Sequence, residues 1–510
     1  MTDSTRPPER FNAARYCLAE NARLRPDKTA LVMVGDAATE SLTFAEADRA
    51  VRGIAAGLLG LGLEPGARVM IRMGNEADYV LVYFGALAAG LVALPSSPLL
   101  TPGEAGFLME NSGAALVVAG ADCPVDAGSL GGRLLLDAGA IAAMKAGPPL
   151  PDYADTGADD PATLVYTSGT TSHPKGVLHA HRAVYGRRPM HPHWLGLTES
   201  DVMLHAGTMN WTYTLGVGIT DPWAVGATTV LYNGPRDPAI WPGLIARHRA
   251  TLFAAVPSLY RQILKYADLA ACDLSSLRHG VTAGEALPPD LLDAWERATG
   301  KPLYEALGMS EISTYVSSGP TIPVRPGSPG RPQPGRRVAI LPVEGEPVPL
   351  PAGETGLLAI HRSEPGLMLG YWNRPDEEAS VLRGEWFAGG DLARLDPDGY
   401  LWFEGRNDDL MNAMGYRVSP NEVEGVLAEH PDVAEVGVAE LAVRADVRVI
   451  GAFVVLNADA AADAEALLAW CRARLAAYKC PREIRFLETL PRTANGKVQR
   501  KRLAEAAAGV

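Results

Sequence analysis

Cysteine is scarce in this chain, with five residues among 510, and no two of them form a Cys-x-x-Cys pair. A disulfide framework or a zinc site is therefore not expected, and the composition fits a reducing compartment such as the cytoplasm. Basic stripes are missing as well. The formal net charge is -13 and no Lys/Arg-rich stripe is evident. Nucleic acid is not an expected partner, because binding it requires basic surface to neutralise phosphates.

Long apolar runs and targeting signals are also missing. The first twelve residues lack the apolar core of a signal peptide, and the last three, AGV, are not a peroxisomal SKL signal. The longest charge-free apolar stretch, 79–94, is shorter than the roughly 20 residues that span a bilayer. It contains Gly85 and Gly90 and ends at Pro95. We expect a buried helix that leads into a buried strand, and no membrane span.

What is present is the composition of a multidomain globular chain. Hydrophobic residues make up 47% and charged residues 21%. A prior of roughly 150 residues per domain gives about three structural units. Strand and helix patterns alternate over the first four-fifths of the chain, as at 68–72, 75–89 and 91–94. This alternation favours parallel sheets covered by helices, and short β-rich segments follow around 345–353.

The pattern changes from about residue 407. A helix at 421–429, apolar strands at 433–438 and 449–456, and a helix at 461–477 predict a compact α+β unit. We place a boundary at 406/407, which gives an N-terminal domain of residues 1–406 and a C-terminal domain of residues 407–510. The expected fold class is α/β: a large domain of parallel sheets covered by helices with a small β-rich subdomain, followed by a small mobile α+β domain.

The most informative segment is TSGTTSHPKG, residues 167–176. An apolar strand at 162–166 precedes it and a helix-like run follows it. Five hydroxyls, two glycines and a lysine suit a loop that binds a polyphosphate, because backbone N–H groups and hydroxyls can point inward while Lys175 adds a charge. It is not a Walker A loop, which has Ser or Thr directly after Gly-Lys. Taken alone, the segment also fits a solvated Ser/Thr-rich turn.

Further motifs follow in a fixed order. They are GEALP at 284–288, YEALGMSE at 304–311, GGDLA at 389–393, GYLWFEGRNDD at 399–409, MGYRVSPNEVE at 414–424 and PRTANGKV at 491–498. Over roughly residues 20 to 505, this series resembles the adenylate-forming superfamily of acyl-CoA synthetases, luciferases and stand-alone adenylation domains. It is most similar to benzoate-type and medium-chain acyl-CoA ligases. The resemblance implies an enzyme that uses ATP to convert a carboxylate into an acyl-adenylate and then transfers the acyl group to coenzyme A.

The resemblance implies a nucleotide site built from several motifs. Its phosphate-loop residues are Thr167, Ser168, Gly169, Thr170, Thr171 and Lys175. Its adenine and ribose residues are Gly284, Glu285, Ala286, Glu305, Ala306, Leu307, Ser310, Asp391 and Arg406. Glu311 matches the acidic residue that holds Mg²⁺, a hard cation suited to carboxylate oxygens. Outside the motif context, Glu311 and Asp391 are typical of solvated surface carboxylates. The chain departs from the family pattern at Ser172, usually glycine, and at Ser310, more often threonine.

The C-terminal motifs imply a second set of roles. Lys497 matches a catalytic lysine that bridges the attacking carboxylate and the α-phosphate, where one well-placed cation contributes about 3–4 kcal/mol to the transition state. Asp408 matches the hinge of the mobile domain, and Gly415 and Arg417 match the side that binds coenzyme A. The sequence around Lys497 also resembles acetylation sites, which makes a lysine acetyltransferase or deacylase a candidate regulatory partner. A homodimer is a candidate assembly.

The implied acyl pocket lies between the segment 205–215 and the walls at 281–284 and 304–310. Its candidate residues are His205, Met209, Trp211, Tyr213 and Gly308. The Met, Trp and Tyr side chains favour an apolar acyl group. Acetate-using members carry tryptophan at the position of Gly308, so glycine leaves room for a benzoyl, cyclic or medium-length acyl group. The alternative is that Gly308 serves only a tight turn.

Two rival functions remain open. One is a stand-alone adenylation enzyme that loads a separate acyl carrier protein, which thioester formation with free coenzyme A would distinguish; we expect no carrier domain after Val510. The other is a non-catalytic nucleotide-binding homologue. The joint retention of five residues argues against it: Lys175, Glu311, Asp391, Arg406 and Lys497. A luciferase-like oxygenase fits less well.

A zinc site is not expected among the histidines in the middle of the chain, because they lack a common ligand spacing. These histidines are His173, His179, His181, His191, His193 and His205.

Overall fold

The computed structural model describes residues 6–36, 38–121, 123, 125, 127–167, 174–235, 237–407, 411–413, 416–444, 447–458, 460–475, 479–492 and 498–508. The helices are α1 (Ala13–Leu24), α2 (Phe44–Gly60), α3 (Ala77–Ala88), α4 (Pro102–Ser112), α5 (Ala138–Ala146), α6 (Arg182–Tyr185), α7 (Asp221–Val225), α8 (Trp241–His248), α9 (Pro257–Tyr266), α10 (Pro289–Thr299), α11 (Pro375–Val381), α12 (Pro420–Ala428), α13 (Ala464–Arg472) and α14 (Arg500–Ala508).

The strands are given in chain order. They are β1 (Thr29–Gly35), β2 (Thr39–Thr43), β3 (Arg68–Arg72), β4 (Val92–Ser96), β5 (Leu116–Ala119), β6 (Leu134–Leu136), β7 (Pro161–Thr167), β8 (Lys175–Ala180), β9 (Val202–His205), β10 (Thr228–Asn233), β11 (Leu252–Ala254), β12 (His279–Ala283), β13 (Leu303–Met309), β14 (Ser313–Ser317), β15 (Arg331–Pro332), β16 (Val338–Leu341), β17 (Gly356–His361), β18 (Gly370–Tyr371), β19 (Leu382–Arg383), β20 (Trp386–Leu395), β21 (Leu401–Arg406), β22 (Met411–Ala413), β23 (Tyr416–Val418), β24 (Val433–Arg444), β25 (Val447–Leu456) and β26 (Glu483–Phe486).

The chain divides into two compact units. The first comprises Met1–Val338, His361–Glu385 and Gly399–Leu401, and the second comprises Ala339–Ile360, Trp386–Asp398 and Trp402–Val510. The second unit thus includes β-rich segments that precede residue 407. The division at 406/407 stays a prediction.

Two large sheets with parallel centres form the first unit. One has the order β15-β14-β13-β12-β11-β9-β10-β1-β2, in which the strands from β13 to β1 run parallel and the strands at both edges are antiparallel. The other has the order β18-β8-β7-β4-β3-β5-β6, in which β7 to β6 run parallel. The predicted α/β architecture with parallel sheets is confirmed.

The apolar stretch at 79–94 lies inside the first unit. Helix α3 buries every residue except Asp78, and all five residues of β4 are buried. The longer helix α2 packs beside α3 and begins with a capping box, in which Thr43 accepts from the Glu46 N–H and Glu46 accepts from the Thr43 N–H. The predicted buried helix and strand are confirmed. In the part of the chain that the structure describes, no helix has both the length and the apolarity to span a membrane.

The segment after the Ser/Thr-rich motif is a strand, so the helix-like run predicted there is wrong. Strand β8 pairs antiparallel with β7, and Thr167 lies opposite Lys175. The backbone of β7 forms hydrogen bonds with residues 175–180. These bonds stabilise a strand there more than the local sequence pattern stabilises a helix. Residues 168–173 connect the two strands and lie outside the described residues.

The described part of the second unit contains two sheets, and a separate pair of short strands comes between them along the chain. Strands β16, β17 and β20 lie side by side and β21 pairs with β20, while β22 pairs with β23. Strands β24 and β25 form a long antiparallel pair to which β26 adds in parallel. A core that includes Val423 of α12, Ile450 of β25 and Leu467 of α13 is buried between these elements. The predicted β-rich and α+β regions are confirmed, although α13 ends at Arg472 rather than at 477.

Candidate active site

Glu311 lies in the turn between β13 and β14. The Met368 N–H donates to the Glu311 carbonyl over 2.8 Å. The ring of His179 bonds to the Ser310 carbonyl, with 2.7 Å from Nε2 to the oxygen. Ser313, which begins β14, has a φ of 80°. The turn follows the carboxyl end of parallel strand β13, where open α/β sheets usually bind ligands.

Lys175, Tyr371 and Glu311 form one cluster. The Tyr371 hydroxyl donates to Glu311 Oε1 over 2.7 Å. Lys175 Nζ lies 3.8 Å from the centroid of the Tyr371 ring and 4.0 Å from Glu311 Oε1. The structure therefore brings together the predicted phosphate-loop lysine and the predicted magnesium ligand. Sequence reasoning missed Tyr371, whose signal in the sequence was a Tyr-Trp pair in a Gly/Asn/Pro-rich segment outside the motifs.

A buried ion network holds Ser313 of the same hairpin. Arg187 donates to both carboxylate oxygens of Asp221, with distances of 2.8 and 2.7 Å, and to Ser313 Oγ. His191 Nε2 lies 3.1 Å from Asp221 Oδ1. Burial favours the neutral carboxyl, but Arg187 and His191 outweigh it, so the pKa of Asp221 lies below its ordinary value. Sequence reasoning missed this network, because the two ionic residues are far apart in the sequence and belong to no motif.

The predicted adenine wall comes from two adjacent parallel strands. Ala283, which ends β12, lies opposite Ala306 of β13. Gly284 follows with a φ of 91°, a conformation that favours glycine. The Glu305 side chain accepts a hydrogen bond from the Leu287 N–H over 2.9 Å, and burial raises the pKa of Glu305 to about 7. The structure places the segments 284–286 and 305–307 side by side.

Asp391 and Arg406, the predicted ribose pair, lie together in the second unit. Asp391 is on β20 and Arg406 ends β21, the neighbouring strand. Arg406 Nη1 donates to Asp391 Oδ1 over 3.3 Å. The Asn407 N–H donates to the Gly390 carbonyl over 2.7 Å, which holds the end of β21 against β20.

Two of the predicted acyl-pocket residues contact each other. The rings of His205 and Tyr213 meet edge to face with 4.6 Å between centroids, and Tyr213 stacks on Trp194 at 6.2 Å. The Tyr213 hydroxyl donates to the Val281 carbonyl over 3.3 Å. The Gly207 N–H donates to His205 Nδ1, and burial lowers the pKa of His205 to about 3, so the ring is neutral at physiological pH. This aromatic group therefore adjoins the predicted wall at 281–284.

The other predicted pocket residues differ in their surroundings. Met209 is almost fully buried in the core around α1 to α3, while Trp211 is half-buried. A Cβ atom on Gly308 would lie 2.5 Å from the Ser313 carbonyl oxygen. Glycine at this position lets β14 approach β13 closely at the irregularity between Leu307 and Gly308. Gly308 thus has a packing function, and its effect on pocket length stays a prediction.

Several predicted residues cannot be placed. Lying outside the described residues are Ser168, Gly169, Thr170, Thr171, Asp408, Gly415 and Lys497. Arg417 is on β23, but its side chain is not described. The flanks of the lysine motif are ordered by contacts: Arg492 and Val498 form an antiparallel bridge, and Arg500 donates to Glu424 over 2.7 Å.

Five of the six histidines in the middle of the chain make hydrogen bonds, and His173 lies outside the described residues. The Ala13 N–H donates to His181 Nδ1 over 3.1 Å, and His193 Nδ1 lies 2.8 Å from Thr321 Oγ1. His179, His191 and His205 have the partners given above. Within the described ranges, no group of three or more His, Cys, Asp or Glu residues is placed to hold a metal ion.

Known proteins match this chain over nearly its whole length. Family models described as AMP-binding enzyme and as AMP-binding enzyme C-terminal domain match residues 18–372 and 422–497. Benzoate–CoA ligase of Thauera aromatica is 34% identical, covering 98% of this chain and 97% of that protein. 3-Hydroxybenzoate–CoA ligase of Aromatoleum sp. is 32% identical, covering 91% of each. A crystal structure of the anthranilate CoA ligase AuaEII with anthranoyl-AMP has a TM-score of 0.88, 30% identity and 100% coverage of both chains.

Proposed function

The chain belongs to the AMP-binding enzyme family and is an AMP-forming acid–CoA ligase, and from that premise we propose which residues act and which acids it uses. The reaction joins a carboxylate to coenzyme A through an acyl-adenylate, with ATP converted to AMP and pyrophosphate. The resemblance to benzoate-type ligases is confirmed. The carboxylate is an apolar one with an aromatic, cyclic or medium-length acyl group.

The cluster of Lys175, Tyr371 and Glu311 is the observation that carries the assignment of the nucleotide site. A triphosphate has strong negative charge. The Lys175 ammonium group can bind its phosphates directly, and the Glu311 carboxylate can bind a metal ion that the phosphates also bind. The strand ends that carry the adenine wall, at 284–286 and 305–307, belong to the same unit and the same sheet as Glu311. Phosphate binding by the segment 167–171 and adenine binding by this wall are parts of the proposal.

Magnesium is the proposed metal, and Glu311 is its proposed protein ligand. Mg²⁺ commonly binds through one or two carboxylates together with substrate phosphates and waters, rather than through a cage of protein side chains. A single carboxylate beside a lysine fits that mode. The ion would neutralise phosphate charge.

The proposed chemistry brings together two anions that repel each other, the carboxylate and the polyphosphate. Lys175 would bind the β- and γ-phosphates, and Lys497 would bind the attacking carboxylate oxygen and the α-phosphate. A positive charge in that position stabilises the negative charge that gathers in the transition state. Rotation about Asp408 would then exchange Lys497 for the face with Gly415 and Arg417, which would admit coenzyme A. Asp391 and Arg406 would bind the ribose.

The aromatic group of His205, Tyr213 and Trp194 supports an apolar, ring-bearing acid. His205 is buried and its pKa is lowered to about 3, so it adds no charge to the site at neutral pH. Flat aromatic surfaces favour stacking or edge contacts with an aryl ring. The two relatives act on benzoate and 3-hydroxybenzoate by name. An aryl carboxylate is therefore the first substrate class to test.

Pyrophosphate and AMP release should be measured with a panel of short-chain, medium-chain and aryl carboxylates, each with and without coenzyme A. We expect release of both products, acyl-CoA formation with free coenzyme A, and the highest kcat/KM for an aryl or medium-chain acid. Pyrophosphate release without any thioester from free coenzyme A would favour the alternative of an enzyme that loads a carrier protein. No product from any acid would favour the non-catalytic homologue.

Replacing Lys497 by alanine tests the catalytic assignment. We expect Lys497→Ala to lower the rate of adenylate formation by about 10²–10³, because one transition-state cation is lost. Thioester formation from a supplied acyl-adenylate should persist, since that step does not need this ammonium group. Lys265→Ala, which removes a lysine from helix α9, is the matched control. Equal losses in both half-reactions would contradict the assignment.

Lys497 is also the proposed target of a lysine acetyltransferase and a deacylase. Acetylation would remove the charge on which adenylate formation depends. Mass spectrometry of the protein purified from its native cells would detect the modified lysine. Localisation in the cytoplasm and assembly as a homodimer are further proposals, which fractionation and light scattering can test.

A further inference from the structure

Tyr371 is fixed by the backbone on both of its sides. It lies on β18, which pairs antiparallel with β8, and Tyr371 is opposite Val177. The Leu369 N–H donates to the Leu178 carbonyl over 2.7 Å, and the Trp372 N–H donates to the Gly176 carbonyl over 2.8 Å. Tyr371 is only 6% exposed. Its ring therefore has a defined position beside the first residues of β8, one of which is Lys175.

The ring lies between the two ionic groups of the cluster. Lys175 Nζ and Glu311 Oε1 are 4.0 Å apart, which is too long for a hydrogen bond. The Tyr371 hydroxyl instead donates to Glu311 Oε1 over 2.7 Å, and its aromatic face accepts the Lys175 ammonium at 3.8 Å. Each ionic group thus has a neutral partner in place of a direct, hydrogen-bonded ion pair.

This arrangement has a consequence for the binding of ATP and its metal. A direct ion pair would use the same ammonium that phosphate needs and the same carboxylate oxygen that a hard cation needs. It would have to break before either ligand could bind. A cation–π contact and a hydrogen bond from a neutral phenol are easier to exchange than a partly buried, hydrogen-bonded ion pair. Both Lys175 and Glu311 are therefore held in place without a hydrogen bond between them.

We propose that Tyr371 is a positioning residue that keeps Lys175 and Glu311 apart in the nucleotide-free site, so that both are ready to bind ATP and Mg²⁺. The proposal rests on the proposed function, since it assumes that this cluster is the phosphate and metal site. The hydroxyl acts on Glu311 and hence on metal-dependent binding. The ring acts on Lys175 and hence on phosphate binding with or without metal.

Equilibrium binding of ATP in the absence of any carboxylate separates these two roles. Dissociation constants are measured by calorimetry for ATP with Mg²⁺ and for ATP with EDTA. We expect Tyr371→Phe to weaken binding of Mg²⁺-ATP by about 10- to 100-fold, in line with one lost hydrogen bond to a charged group, and to leave metal-free ATP binding unchanged. We expect Tyr371→Leu to weaken both, because it also removes the aromatic face.

Tyr400→Phe provides a control with the same kind of contacts elsewhere. The Tyr400 hydroxyl donates to the Pro323 carbonyl over 2.9 Å, and Arg325 lies over its ring at 4.0 Å. This substitution should change neither dissociation constant. Thermal unfolding of each variant checks that it folds, and the phenylalanine variant decides the matter if the leucine variant does not fold.

Three results would overturn the inference. Unchanged or tighter Mg²⁺-ATP binding by Tyr371→Phe would show that the hydroxyl does not position Glu311. An equal loss with and without metal would show that the substitution acts on the site in general. A wild-type protein that binds no ATP would refute the proposed nucleotide site itself, and this inference with it.

Discussion

Replacing Glu305 by glutamine should stabilise the protein, and more strongly at higher pH. Burial raises the pKa of Glu305 from 4.5 to about 7, against a smaller opposing effect of the hydrogen bond from the Leu287 N–H. The unfolded chain therefore loses this proton near pH 4.5, whereas the folded protein keeps it until about pH 7. Stability from this group is fully present below pH 4.5 and declines as the pH rises through 7.

The size of the effect follows from the shift. At about 1.4 kcal/mol per pKa unit, the charged carboxylate costs the folded state about 3 kcal/mol above pH 7. Between pH 5 and pH 8 the stability of the wild type should fall relative to Glu305→Gln by about 2.5 kcal/mol. The glutamine amide oxygen can still accept the hydrogen bond from Leu287, so little else changes. For a unit of about 370 residues, this difference corresponds to about 3 °C in melting temperature.

Thermal unfolding by calorimetry at pH 5, 6, 7 and 8 measures the effect. The variant should gain over the wild type with each step in pH and reach a plateau by pH 8. Glu285→Gln is the matched control, because Glu285 lies on the same wall but is less buried than Glu305. Parallel melting profiles for the wild type and Glu305→Gln would refute the reasoning, since they would mean that the carboxyl titrates alike in both states.

Two further predictions concern the support of the Glu311 turn. Asp221→Asn leaves the buried guanidinium of Arg187 without its charged partner, so it should destabilise the protein by about 3–5 kcal/mol in denaturant unfolding. The control is Glu465→Gln, which breaks an exposed ion pair and should change stability by less than about 1 kcal/mol. Gly308→Ala places a methyl group against the backbone of β14 and should cost about 1–3 kcal/mol by the same assay, and an unchanged unfolding midpoint would refute the packing function of this glycine.

The sequence predicted the elements whose patterns are local. The apolar run at 79–94 specifies α3 and β4 through its composition alone, and the strand at 68–72 is bounded by turn residues. The strand β8 was missed because its conformation depends on pairing with β7 and β18, which no local pattern reveals. The second helix of the C-terminal unit was predicted too long, because alanine-rich sequence favours a helix beyond the point where packing ends it.

The candidate site was predictable to the extent that it consists of motifs. Resemblance located Lys175, Glu311 and the pair Asp391 and Arg406, and the structure brings the first two together in one unit and the last two together in the other. Tyr371 and the ion pair of Arg187 with Asp221 could not be found in this way. These residues matter because the fold brings them close to others that are distant in the sequence. Neither residue type nor sequence spacing predicts such contacts.

In the proposed nucleotide site, the pairing of β7 with β8 affects how bound phosphates would be neutralised. In a strand–loop–helix nucleotide site, the helix that follows the loop presents the positive end of its macrodipole, equivalent to roughly half a unit charge. Here no helix begins among the described residues 174–181, because that part of the chain is strand β8 and its end. A helix macrodipole is therefore not available directly after this segment, and Lys175 and bound cations carry a larger share of the positive charge in the proposed site. Nucleotide affinity in this protein should therefore respond strongly to ionic strength and to any modification of its lysines.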